Sequence, residues 1–220
     1  MAILLCIDTA VEKASVCISD GTRVLAENIN DKQADHASWI HQAISEALIG
    51  CGKNMQDLQA VAVVAGPGSY TGLRVGMATA KGICYALNIP LITESTLHLI
   101  AYGARAMDNS AWICPMVDAR RMEVYTAVYD PFLQEQLAPA AMILEERSFQ
   151  NLLDQQKIIF AGNGAVKWKN KCAHTNALFY TEGHPIVDFA AIADQKYKAG
   201  DFTDLVYSEP SYLKNVYFNN

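Results

Sequence analysis

Apolar and polar positions alternate between two rhythms along the chain. Ala2 to Ile7 is a continuous apolar run closed by Asp8-Thr9-Ala10, and Ala14 to Ser19 and Arg23 to Ile29 flank Asp20-Gly21, the strongest short hairpin signal. The pattern predicts three antiparallel strands. From about Gln33 to Cys51 the period turns helical, with His36, Ile40, Ala43, Ile44, Ala47, Leu48 and Cys51 on one stripe and Gly50 and Gly52 to stop it. A valine-rich strand at Val61, a glycine-rich loop, a helix from Leu73 to Leu87, a strand Leu91 to Thr93 and a helix from Ser95 to about Ala106 follow.

Asp108-Asn109-Ser110 is the best boundary signal, and past it the pattern partly starts again. Trp112 to Val117 is a strand ending in Asp118, and Glu123 to Tyr129 is a second strand after a short turn. Phe149 to Gln155 reads as helix, Lys157 to Ala161 as a strand into Gly162-Asn163-Gly164, Ala177 to Tyr180 as a strand and Val187 to Ala199 as a helix. Two α/β halves, 1–108 and 109–220, each with hairpin strands before the first helix, suggest tandem ribonuclease-H-like or actin-like subdomains around a cleft.

In that arrangement Asp8 and Asp118 face each other, where carboxylates hold a metal or the magnesium of a nucleotide. The same residues also suit turn caps, and the sequence leaves both readings open.

The loop Gly66-Pro67-Gly68-Ser69-Tyr70-Thr71-Gly72 sits where a strand feeds a helix, a place that attracts anions. The specific fingerprints fail. Lys81 lies too deep in the helix for a P-loop, and Thr71 stands where a dinucleotide loop needs glycine. In the helix that follows, Gly72, Gly76 and Ala80 recur every four residues, and Ala78, Gly82 and Ala86 do so on another face. A glycine inside a helix costs about 1 kcal/mol relative to alanine, so a close approach of other backbones is expected in return. One face can pack on its own sheet while the other receives a partner helix, or both can be buried within the chain.

Composition narrows the classes. The 220 residues include 51% hydrophobic ones, enough for a substantial core, and a net charge of -6 argues against a large nonspecific nucleic-acid surface. The six cysteines form no C-x-x-C pair, sit mostly in apolar runs, and read as small buried hydrophobes of a reducing compartment. Met1 leads directly into a strand and no apolar run reaches membrane-spanning length, so a cytoplasmic location without membrane contact is expected.

Self-sufficient active sites are missing. His36 and His41 share a helix at a spacing that puts them about 140° apart, whereas zinc pairs use i and i+4. H-E-x-x-H and G-x-S-x-G are both absent, and Ser69 and Thr71 suit the satisfaction of donors at a helix start.

Taken together, Ile7-Asp8-Thr9, Asp35-His36, the loop and helix from Gly66 to Gly76 with Ala80-Lys81-Gly82, Asp118-Ala119-Arg120-Arg121 with Glu123-Val124-Tyr125, and Pro210-Ser211-Tyr212-Leu213 resemble the bacterial TsaB (YeaZ) family of tRNA threonylcarbamoyladenosine biosynthesis proteins. The resemblance implies two actin-like (ASKHA) subdomains and a non-catalytic subunit that activates the catalytic paralogue TsaD. TsaE is a further partner, TsaC acts upstream to make the donor, a homodimer forms when the chain is alone, and tRNA is reached through the complex. The first two helices form the partner bundle in such proteins, which puts Trp39, Ala43, Leu73, Gly76, Met77 and Ala80 at the expected interface. No cofactor of its own is implied: Asp8, Thr9 and Asp118 are weak nucleotide candidates, and a magnesium ATP shared at a partner interface stays open. The sequence departs from the family where Met122 replaces the usual glycine and where Thr9-Ala10 lacks the glycine of actin-like nucleotide sites. The family's older label, glycoprotease homologue, conflicts with the missing ligands. The rival reading is a small-molecule kinase or ATPase of the same fold that uses Asp8, Asp118 and the glycine loop.

Overall fold

The computed structural model describes residues 1–31, 35–181 and 186–214, the side chain of His36 excepted. The expected helix start at Gln33 lies outside the described residues. Two compact units result, one of residues 1–95 and 185–211, the other of residues 96–184 and 212–220.

The first unit is built on a sheet in the order β3-β2-β1-β4-β5, from β1 (Ile3–Asp8), β2 (Ala14–Asp20), β3 (Arg23–Asn30), β4 (Ala60–Gly66) and β5 (Leu91–Ser95). The hairpin strands pair antiparallel, whereas β4 runs parallel to β1 and β5 parallel to β4. The hairpin falls where expected but one residue on: Asp20 pairs with Arg23, and Gly21-Thr22 form the loop, with Gly21 at φ +61° as the first central residue. Helices α1 (His36–Gly50) and α2 (Tyr70–Leu87) cover one face, joining Ile40, Ala43, Ile44, Ala47 and Leu48 to Met77, Ala80 and Cys84 over the strand residues Leu5, Ile7, Val61 and Val63. Each helix carries the chain from the C-terminal end of one parallel strand back to the start of the next, so the two run parallel.

The second sheet has the order β10-β9-β6-β7-β8, from β6 (Trp112–Asp118), β7 (Glu123–Tyr129), β8 (Glu135–Ile143), β9 (Ile158–Ala161) and β10 (Ala177–Tyr180). Antiparallel pairing of β6 with β7 and β7 with β8, and parallel pairing of β6 with β9 and β9 with β10, repeats the first sheet strand for strand. The helices here are short, α4 (Gln150–Leu153) and α5 (Ala165–Lys169), and Trp168 of α5, Phe149 at the start of α4 and Phe160 of β9 pack edge to face with one another. Strand β8 is absent from the sequence reading. It is an edge strand, mostly exposed and with Pro139 in its middle, so no burial imposed an alternating pattern on it.

The sequence puts the division at residue 108, but by packing the chain changes unit between Ser95 and Thr96. Helix α3 (Thr96–Ala104) packs on β6, β7 and β9, whereas α6 (Ile186–Ala199) packs on β1, β2, β3 and β5. Asp108 forms a local turn instead of a divide, its carboxylate accepting from the Ser110 N–H at 3.0 Å and hydroxyl at 2.7 Å. Those bonds hold the carboxyl down at about 2.

Candidate functional site

The end of β1 and the start of α2 are interlocked. Ser69 N–H donates to Ala10 O at 2.7 Å, the Thr9 hydroxyl donates to Gly72 O at 2.7 Å, and Ala10 N–H donates to Asp8 Oδ1 at 2.9 Å. Ser69 caps the helix, its hydroxyl oxygen accepting from Gly72 N at 3.3 Å. The glycines make this contact possible. A Cβ on Gly68 would strike Ala10 O, one on Gly72 would strike Thr9 O, and one on Gly76 would strike Thr9 Oγ1. Backbone of the same chain therefore fills the cradle that a phosphate would need.

Each strand-end aspartate caps its own turn. Asp8, 2% exposed, accepts from the N–H two residues on, and Asp118 does the same for Arg120 N at 2.6 Å while binding Lys167 Nζ at 2.8 Å. The turn donors Ala10 N–H and Arg120 N–H are consumed in this way. Lys81, the only lysine a P-loop reading could use, points its Nζ to the carbonyls of Val206 at 3.1 Å and Ser208 at 2.9 Å. The residues present do not fit a magnesium nucleotide held in the manner of an actin-like site. Among the described residues no group of three His, Cys, Asp or Glu side chains is placed to hold a metal ion.

The two faces of α2 differ. Gly72, Leu73, Gly76, Met77 and Ala80 are buried, at 1% exposure for Leu73, 3% for Met77 and 0% for Ala80, and Ala43 of α1 is buried with them. The expected interface residues Ala43, Leu73, Gly76, Met77 and Ala80 thus face the chain's own sheet, and Trp39 is half-buried against the same core. The cause is the sheet: this face of α2 lies against β1 and β4, with Gly76 set against Thr9, Ile7 and Val63. The opposite face, with Ala78, Gly82, Tyr85 and Ala86, is exposed. A Cβ on Gly82 would meet nothing within 4 Å. Tyr85 is 82% exposed and Ile49, near the same end of α1, 75%. These two apolar side chains escaped the sequence reading, although both fall off the buried stripes of their helices.

The family model described as TsaD: tRNA N6-adenosine threonylcarbamoyltransferase matches residues 23–202. The tRNA threonylcarbamoyladenosine biosynthesis protein TsaB of Bacillus subtilis (strain 168) is 32% identical over 163 residues, 73% of this chain and 70% of that one. The chain belongs to the TsaB (YeaZ) family. TsaB of Escherichia coli (strain K12) is 29% identical over 226 residues, spanning 96% of this chain and 94% of its own. YeaZ from Pseudomonas aeruginosa superposes with a TM-score of 0.80 at 25% identity over 97% of this chain and 100% of that one. The fold extends beyond TsaB proteins. The activator of the 2-hydroxyisocaproyl-CoA dehydratase from Clostridium difficile, solved with ADPNP, aligns at a TM-score of 0.51 and 9% identity over 91% of this chain and 96% of that one. That likeness concerns fold alone, and with the repeated strand order it agrees with the two tandem actin-like units that the sequence suggests. No helix among the described residues is long and apolar enough to cross a membrane.

Proposed function

We propose that this chain is a non-catalytic subunit in tRNA threonylcarbamoyladenosine biosynthesis, where it pairs with TsaD through the outer face of α1 and α2 and holds that enzyme in a competent state. The modification is the threonylcarbamoyl group on the adenosine beside the anticodon, position 37, of tRNAs reading codons that begin with A. TsaE joins the complex, TsaC supplies the donor, and a homodimer uses the same face when TsaD is absent. Any magnesium ATP acts at a shared interface, since the glycine loop is closed by the chain's own backbone. A cytoplasmic location goes with this role.

One observation carries the reading: Gly82 sits mid-helix with open space at its Cβ position, flanked by exposed Ala78, Tyr85 and Ala86. A helix glycine costs about 1 kcal/mol, and nothing among the described residues offsets it. Close approach of a second helix would. The experiment is size exclusion with light scattering on the chain, TsaD from the same source and their mixture. A one-to-one heterodimer is expected, lost on substituting Gly82→Leu or Tyr85→Glu while the circular dichroism spectrum is retained. Variants that bind TsaD as the parent does would overturn the assignment of this face.

A further inference from the structure

The hairpin between β6 and β7 presents two arginines in a conformation that side chains rarely adopt. Arg120 has φ +70° and Arg121 φ +50°, both exposed, while Ala119 N–H donates to Glu123 O and Glu123 N–H to Arg120 O, each at 3.1 Å. Left-handed angles are taken most readily by glycine and, among residues with a side chain, by asparagine and aspartate. A side chain there costs about 1–2 kcal/mol per residue. Met122 keeps an ordinary φ, so the positive angles fall on the arginines.

Charge is distributed unevenly around this turn. Asp118 is bound by Lys167 Nζ at 2.8 Å and Glu123 by Lys214 Nζ at 2.6 Å, so each carboxylate already has its cation. Lys167 also donates to the carbonyls of Arg121 at 2.7 Å and Glu123 at 3.1 Å, which stiffens the turn from below. Neither guanidinium has a hydrogen bond or ion pair among the described residues, and Lys169 and Lys171 are exposed on and just after α5. In a chain of net charge -6, two exposed guanidinium groups thus stand on a turn whose flanking carboxylates Asp118 and Glu123 are already bound, while the exposed Glu145 and Glu146 follow Leu144, whose N–H donates to Met122 O at 2.8 Å.

We propose that the Arg120–Arg121 turn contacts the phosphate backbone of tRNA. Guanidinium forks match phosphate oxygens, and two exposed arginines side by side on one turn can meet successive phosphates of a nucleic-acid backbone. This rests on the proposed place in tRNA modification, and it makes the contact with tRNA direct as well as through the complex.

The test is fluorescence anisotropy of a labelled, unmodified tRNA transcript across a salt series, with the full chain alone and in complex with TsaD. The variant Arg120→Asn/Arg121→Gly supplies the residues such a turn prefers, so the fold is retained. It should weaken tRNA binding roughly tenfold and reduce the slope of log K against log salt by about 1–2. Arg120→Lys/Arg121→Lys should keep the slope. An unchanged affinity and slope in the first variant, or no binding of the transcript by the parent in either form, would overturn the proposal. Loss of magnesium ATP binding with tRNA binding intact would overturn it too, by making the ligand a nucleotide. Should the chain fail to join TsaD, the proposed function is what fails, and the isolated chain's salt slope still decides this point.

Discussion

The Thr9 hydroxyl donates to the carbonyl of Gly72 at 2.7 Å, tying the end of β1 to the first turn of α2. Gly76, one turn further, leaves no room for a methyl group beside the same hydroxyl. Gly72→Ala and Gly76→Ala should each lower stability by about 3 kcal/mol, because a backbone carbonyl or a held hydroxyl must give way. Urea denaturation measures this, and an unchanged midpoint for either variant would show that the interlock tolerates a methyl.

Gly82 should behave in the opposite way. With nothing within 4 Å of its Cβ position, Gly82→Ala should stabilise the isolated chain by about 1 kcal/mol. The same change should weaken association with TsaD, since a helix packed against that glycine loses its close approach. Thermal unfolding and a binding titration on one preparation test both halves, and a lower Tm would contradict the open geometry.

Lys196 neutralises a carboxylate at the end of β5. Its Nζ lies 3.1 Å from Glu94 Oε2, in a side chain 4% exposed, and donates to Thr93 O at 2.8 Å. Lys196→Ala should cost about 3–5 kcal/mol by leaving the carboxylate buried without that cation. Adding Glu94→Gln should recover part of the loss. A single variant as stable as the parent would show that water reaches Glu94.

Alkaline pH should weaken the fold through two thiols. Burial pushes Cys84 up to about 11 and Cys114 up to about 12, against about 8.5 in an unfolded chain. A raised folded value means the unfolded chain releases its protons first. The thiol contribution is therefore complete below about pH 8.5 and is lost as pH rises toward 11 and 12. Urea midpoints between pH 8 and 11 should fall more steeply for the parent than for Cys84→Ala/Cys114→Ala, and parallel slopes would refute the argument.

The sequence by itself determined the strands and helices whose burial wrote a period into them. β1 and β4 were legible because burial on both faces makes each a continuous apolar run, and the stripe Ile40, Ala43, Ile44, Ala47 and Leu48 because one solvent-free face of a helix demands apolar residues at fixed spacing. The family was legible in the loop from Gly66 to Gly76, whose glycines are required by close contact with backbone at Gly66, Gly68 and Gly72 and with the Thr9 side chain at Gly76. Tertiary structure decided what periodicity does not encode. Two small-residue ridges on α2 look alike in sequence, and only the position of the sheet shows that Gly76 is inside and Gly82 outside. Nor could the local pattern say that α3 joins the second sheet and α6 the first, because an apolar helix face specifies that it is buried and not which sheet buries it. Strand β8 and the left-handed arginines stayed hidden for the related reason that an exposed edge and a strained turn leave little hydrophobic signature.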